Sequence, residues 1–155
     1  MSNRIVAIRH AQAKSEGYPN DKLHPLSEEG KQVQLKVANR LKEEGIFPDK
    51  IWSSPLLRAK QSAEIISEAF SVNVEEKDAL GNKFNSKELL QYFTPMPENT
   101  TIFLIGHAPS LGEFVNELVG KNILPEGIKK SGVVIIDFDE SIQFGLGKFI
   151  AYYKP

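Results

Sequence analysis

The run "IVAIRHAQAKSEG" (5–17) ends four apolar residues on an adjacent Arg9 and His10. A strand tip carrying two cationic-capable side chains is arranged for an anion. Two other places in the chain repeat the pattern. "DKIWSS" leads into "PLLRAKQSAE", which puts Arg58 in the first turn of a helix. "TIFLIG" ends on Gly106 and His107, just ahead of another helix. Open α/β sheets bind ligands beyond the carboxyl ends of their parallel strands. The three strand ends can therefore meet in one crevice with two arginines and two histidines. The helix N-termini add N–H donors and positive dipole ends. Together these features describe a phosphate pocket.

Guanidinium groups bind phosphoryl oxygens bidentately and stay charged at any relevant pH. A neutral imidazole nitrogen attacks phosphorus well, provided that a partner holds the proton on the other ring nitrogen. A backbone carbonyl or a nearby serine suits that task. A second histidine, charged or donating, would stabilise the equatorial oxygens in the transition state. The cationic side chains then do the work of a metal, and no cofactor is expected. His10, His24 and His107 lack the paired spacing of a zinc motif, and neighbouring arginines would repel the cation.

The elements that must position these groups alternate. "RIVAI" (4–8) reads as a strand buried on both faces, and the polar stretch after it as a loop. "LSEEG" opens a helix, with Ser27 as N-cap and Glu28 and Glu29 in its first turn. Val33, Val37, Ala38 and Leu41 continue it at helical spacing, and Gly45 and Pro48 end it. Residues 49–54 form a second strand, and Pro55 suits the first turn of the helix whose inner face is Ala59, Ala63, Ile66 and Phe70. A short third strand covers 72–76, a brief helix 86–93, and a buried strand 101–106. Leu111, Phe114, Val115, Leu118 and Val119 form the core face of the next helix. Residues 132–138 and 147–153 pair as an antiparallel hairpin. The expected fold is a three-layer α/β sandwich with a mixed, mostly parallel central sheet.

Composition narrows the function classes. At 155 residues, 41% hydrophobic and 25% charged, the chain is expected to be one soluble domain over 1–155. A net charge of -1 supplies no global field for nucleic acid or anionic lipid, so neither is an expected partner. No apolar run is long enough for a membrane span or a signal peptide. The absence of cysteine excludes disulfides, thiolate zinc sites and cysteine nucleophiles, and fits a cytoplasmic protein. Oligomeric state is left open.

"IRHA", "SSPLLRAKQSAE" and "IGHAPSLGEF" resemble the histidine phosphatase superfamily, related to phosphoglycerate mutases. The short chain and its phrasing are most similar to the SixA-type phosphohistidine phosphatases. The resemblance covers nearly the whole chain and is weakest over 72–97 and the last twenty residues. It implies that His10 is the nucleophile that becomes phosphorylated. Arg9 and Arg58 would be the phosphate-binding arginines, and His107 the second pocket histidine. The usual Arg-His-Gly reads Arg-His-Ala here, with Ala11 third. Relatives acting on alcohol phosphates carry a carboxylate ahead of the Gly-His strand, to protonate the leaving oxygen. Glu76 and Asp78 are the candidates. A small roof over the pocket suits a phosphorylated side chain of another protein, and an imidazole leaves more readily than an alkoxide.

The expected activity is thus metal-independent phosphatase chemistry on phosphoproteins. The alternatives are a phosphatase of small phosphate monoesters and a module that binds phosphate or a phosphoprotein without turnover. A mutase is not expected, because the chain has no long insertion to enclose such a substrate. A nucleotide pocket is not expected, because the chain has neither glycine-rich phosphate motif. Lys14 and Asp21 read as solvated loop charges, His24 as structural, and "EEKD" (75–78) as a solvated run. Ser53 and Ser54 read as capping and turn residues, with hydrogen bonding near the nucleophile as the other possibility.

Overall fold

The computed structural model describes residues 3–14 and 23–155. Its strands are β1 (Asn3–Arg9), β2 (Lys50–Ser53), β3 (Val74–Glu76), β4 (Thr101–Gly106), β5 (Val133–Phe138) and β6 (Lys148–Tyr153). Its helices are α1 (Glu28–Glu43), α2 (Leu57–Phe70), α3 (Ser86–Phe93) and α4 (Ser110–Val119), with a 3-10 turn at Asp78–Leu80. The sheet is six-stranded, in the order β3-β2-β4-β1-β5-β6. The β3–β2, β2–β4 and β4–β1 pairings are parallel, and β5 runs antiparallel to both β1 and β6.

The central strands bury alternate residues on opposite faces, as a two-residue period requires. Val6, Ile8, Phe103, Ile105 and Ile135 pack with Ala38 and Leu41 of α1 and Ala59, Ala63 and Ile66 of α2. Ile5, Ala7, Ile102, Leu104 and Ile136 pack with Leu89 and Phe93 of α3 and Leu111, Phe114, Val115 and Leu118 of α4. Helices on both faces of the sheet make the expected three layers.

The expected boundaries hold closely. Ser27 caps α1, its hydroxyl accepting from the Gly30 N–H at 3.0 Å. Gly45 stands just past the end of α1 at φ +74°, a left-handed conformation that favours glycine. Pro55 lies two residues ahead of α2 rather than in its first turn, because Leu56 is the N-cap. Gly30 has a separate steric role: a Cβ there would sit 2.2 Å from the Gln12 carbonyl oxygen. Only glycine lets the first turn of α1 press against the chain leaving β1. Among the described residues, no helix is long and apolar enough to cross a membrane.

Candidate active site

Register places the chemistry at one edge of the sheet. Arg9 pairs with Gly106, while Ser53 pairs with both Ile105 and Glu76. The carboxyl ends of β1, β2, β3 and β4 are therefore level.

His10 stands one residue beyond β1 and is 7% exposed. Its backbone is held on two sides: its N–H donates to the Gly106 carbonyl at 3.0 Å, and its carbonyl accepts from the Ser131 N–H at 3.2 Å. The same Ser131 N–H reaches the Arg9 carbonyl at 3.1 Å. Ser62 ties the next residue to α2. Its hydroxyl accepts from the Ala11 N–H at 3.0 Å and donates to the Arg58 carbonyl at 2.9 Å. One side chain thus joins the loop after the candidate nucleophile to the helical turn carrying Arg58.

The His10 ring has a definite polarity. Nδ1 lies 2.7 Å from the Ala11 carbonyl oxygen, which can only accept, so Nδ1 carries the proton of the neutral ring. The lone pair then lies on Nε2, where the Arg58 Nε–H approaches at 3.4 Å. Burial is the largest cause holding His10 down at about 4. The positive charges of Arg58, Arg9 and Lys130 act the same way, and the Ala11 carbonyl opposes them. Near neutral pH the ring is uncharged and its free nitrogen is nucleophilic.

His107 completes the group. Its ring centroid lies 5.1 Å from that of His10, with the planes tilted by 54°. Its Nε2 is 2.7 Å from the Ser54 hydroxyl. Ser54 also accepts from the Leu56 N–H at 3.2 Å, and its own N–H donates to the Ile105 carbonyl at 3.0 Å. It is both a turn residue and a contact of the second histidine. A Cβ at Gly106 would meet neighbours only at an ordinary 3.7 Å, so the surrounding protein does not itself demand glycine there.

Arg9 reaches from the tip of β1 to the Ile128 carbonyl, donating from Nη1 at 2.9 Å. Among the described residues its buried Nε has no hydrogen-bond partner. Burial pulls its pKa below the ordinary arginine value, and Arg58 adds to that direction. An anion at this position would relieve both effects. The adjacent Arg9 and His10, with Arg58 and His107 from distant parts of the chain, thus share one end of the sheet.

The two candidate acids sit differently. Glu76 is exposed and its carboxylate pairs with Lys60 at 3.4 Å. β3 lies three strand spacings from β1, about 14 Å at the backbone. Asp78 is exposed and lines an open cavity of about 280 Å³ with Pro55, Leu56, Asn82 and Lys83. Lys14 is exposed and His24 half-buried, while Asp21 lies outside the described residues. Among the described residues no cluster of three His, Cys, Asp or Glu side chains is placed to hold a metal ion.

Sequence reasoning did not single out Ser62, Ser131 or Lys130. Ser62 lies four residues after Arg58, hence one helical turn away, and that spacing was the available clue. Nothing local marks Ser131, which reaches β1 only because β5 pairs beside it.

The sequence model of the histidine phosphatase superfamily (branch 1) matches residues 5–89. An uncharacterized protein of Picosynechococcus sp. (strain ATCC 27264 / PCC 7002 / PR-6) is 29% identical over 121 residues, 76% of this chain and 73% of that one. Among solved structures, the protein histidine phosphatase SixA complexed with tungstate superposes with a TM-score of 0.84. It is 24% identical, and the match covers 96% of this chain and 95% of that one. A phosphoserine phosphatase from Entamoeba histolytica, in complex with 3-phosphoglyceric acid, superposes with a TM-score of 0.73. It is 18% identical, over 99% of this chain and 98% of that one. At these identities the structural likeness is one of fold, the phosphoglycerate mutase-like α/β sandwich.

Proposed function

The chain belongs to the histidine phosphatase superfamily (branch 1), and on that premise we propose that it hydrolyses phosphorylated substrates through a covalent phosphohistidine on Nε2 of His10. The observation that carries this reading is the polarity of His10. A buried neutral ring has its Nδ1 proton held by the Ala11 carbonyl and its Nε2 lone pair beside Arg58.

In the first step the Nε2 lone pair attacks phosphorus. The bond from phosphorus to the leaving atom breaks, and the leaving group departs with that electron pair and takes up a proton from solvent. Arg9 and Arg58 hold the phosphoryl oxygens, and His107, steadied by Ser54, donates to an equatorial oxygen as charge develops. In the second step water attacks phosphorus and gives up a proton to solvent, the N–P bond breaks with its electron pair returning to Nε2, and inorganic phosphate leaves. The Ala11 carbonyl keeps its hydrogen bond to Nδ1–H throughout and stabilises the ring while Nε2 bears the phosphoryl group.

The favoured substrate is a phosphohistidine on another protein. The likeness in fold to SixA supports it, and so does the leaving-group side of the site. Glu76 is committed to Lys60, which suits a leaving imidazole needing little help from an acid. Asp78 supports a second reading, small phosphate monoesters, because it stands over a cavity beside Pro55 and Leu56, near the start of α2.

The test measures phosphate release from a phosphohistidine-bearing protein and from para-nitrophenyl phosphate, with EDTA present. Release by the wild type, loss in His10→Ala, and an acid-labile, alkali-stable phosphoenzyme trapped by rapid quench are the expected results. A wild type that binds phosphate but releases none from either substrate would leave a binding module instead.

A further inference from the structure

We infer that a basic groove running from the nucleophile along α1 docks an acidic segment of the phosphorylated partner. This deepens the reading above and rests on it. Two cavities form the groove. The one nearer the site, about 360 Å³, is walled by Gln12, Gly30, Lys130 and Ser131. It adjoins the nucleophile, because Ser131 bonds the His10 carbonyl and Gln12 is two residues further along the chain. The second, about 290 Å³, lies between α1 and the end of β6. Val33 and Pro155 line both, so the two are continuous.

The second cavity has an apolar floor of Val37, Leu41 and Val133 beneath Lys36, Arg40 and Lys154. With Lys130 in the first cavity, four side-chain cations line the groove among the described residues, and Glu44, bonded to Arg40 and Tyr153, stands at its edge. Arg40 is held in place, its guanidinium 4.2 Å from the Tyr153 ring centroid and its Nε 3.6 Å from Glu44. A net charge of -1 for the whole chain makes this excess of positive charge a local feature.

The spacing specifies the ligand. Lys36 and Arg40 lie six and ten residues beyond Gly30 in α1, or about 9 and 15 Å along the helix at 1.5 Å per residue. An extended chain rises about 3.3 Å per residue. Counted from Gly30 at the near end of the groove, a segment whose phosphorylated side chain enters the site would therefore bring residues at least three to five positions away beneath Lys36 and Arg40. The fitting partner carries Asp or Glu there, interleaved with an apolar residue for the floor.

The experiment is a fluorescence-anisotropy titration with two labelled, unphosphorylated peptides, which reads the groove independently of catalysis. One carries Glu, and the other Lys, three to five positions on both sides of a central histidine. The wild type should bind the Glu peptide at least about fivefold tighter at low salt, with the preference shrinking as salt rises. The double variant Lys36→Glu/Lys154→Glu, which leaves the Arg40–Tyr153 stack intact, should lose or reverse that preference. Its kcat/KM for para-nitrophenyl phosphate should stay within about twofold of wild type, since neither residue reaches the pocket. Equal binding of the two peptides by the wild type, or an undiminished preference in the variant, would overturn the proposal. So would the same charge-dependent loss seen only with phosphatidylserine vesicles, which would reassign the groove to a lipid surface. A wild type inactive on every phosphate yet showing the peptide preference would sink the catalytic reading alone.

Discussion

At the carboxyl end of β1, His10 is buried, its backbone is bonded on both sides, and its ring is oriented by the Ala11 carbonyl. At the carboxyl end of β3, Glu76 reaches the same level of the sheet but is exposed and paired with a surface lysine. β1 is central, flanked by β4 and β5, while β3 is an edge strand. Central strands supply backbone partners on both sides and a dry environment. That environment shifts a pKa and fixes a tautomer. An edge strand supplies neither. On the function proposed above, this contrast preorganises attack on phosphorus and leaves the leaving-group side open, which suits a substrate with an easy leaving group and a bulky body.

Substitutions can break this contrast, and their expected effects fall in order. His10→Ala should cost at least about 10⁴-fold in kcat on any substrate, because no other group supplies the nucleophile. Residual turnover near wild type, measured by phosphate release, would remove the β1 side from the chemistry. Arg58→Ala should cost about 10²- to 10³-fold, as for other groups that stabilise transition-state charge. Ser54→Ala should lower kcat about tenfold with KM little changed, by loosening His107 rather than removing it. A change in KM alone would contradict a positioning role. At the β3 side, Glu76→Gln should change phosphohistidine hydrolysis by less than about twofold, and Asp78→Asn by little more. A general acid in use would cost about 10²-fold or more. A large Asp78→Asn effect confined to para-nitrophenyl or alkyl phosphates would favour the small-monoester reading.

The buried ring also sets a pH dependence. With His10 held at about 4, kcat/KM should keep its nucleophile down to that pH, once the substrate's own ionisation is divided out. A limb near 6.5 instead would mean that the ring is solvated. The same shift acts on stability. Unfolded, His10 titrates near 6.5; between there and about pH 4 the unfolded chain binds a proton that the fold refuses. Stability should fall as pH drops through that window, by up to about 3 kcal/mol, and level off below it. His10→Asn, followed by urea unfolding across pH 4–7, should remove that part of the slope.

Much of this was legible in the chain. The continuous apolar run of β4 and the helical period of α4 are local properties, so both elements stand where the apolar pattern put them. Arg9, His10, Arg58 and His107 stand at element ends, where parallel-sheet geometry converges. Asp78 against Glu76 was not legible, because the two lie in one charge run and differ only in what the fold sets beside them. Ser131 was equally hidden, since its contact with Arg9 and His10 spans more than half the chain.

By itself, then, the sequence determined the layers, the order of the elements and the residue types able to bind and attack a phosphoryl group. These follow from short-range patterning, which chemistry and periodicity govern directly. The tertiary structure alone decided the tautomer of His10, its suppressed basicity, the Ser54 contact of His107 and the cationic lining of the groove beside α1. Each of these depends on burial and on neighbours distant in the chain, and no local pattern encodes either.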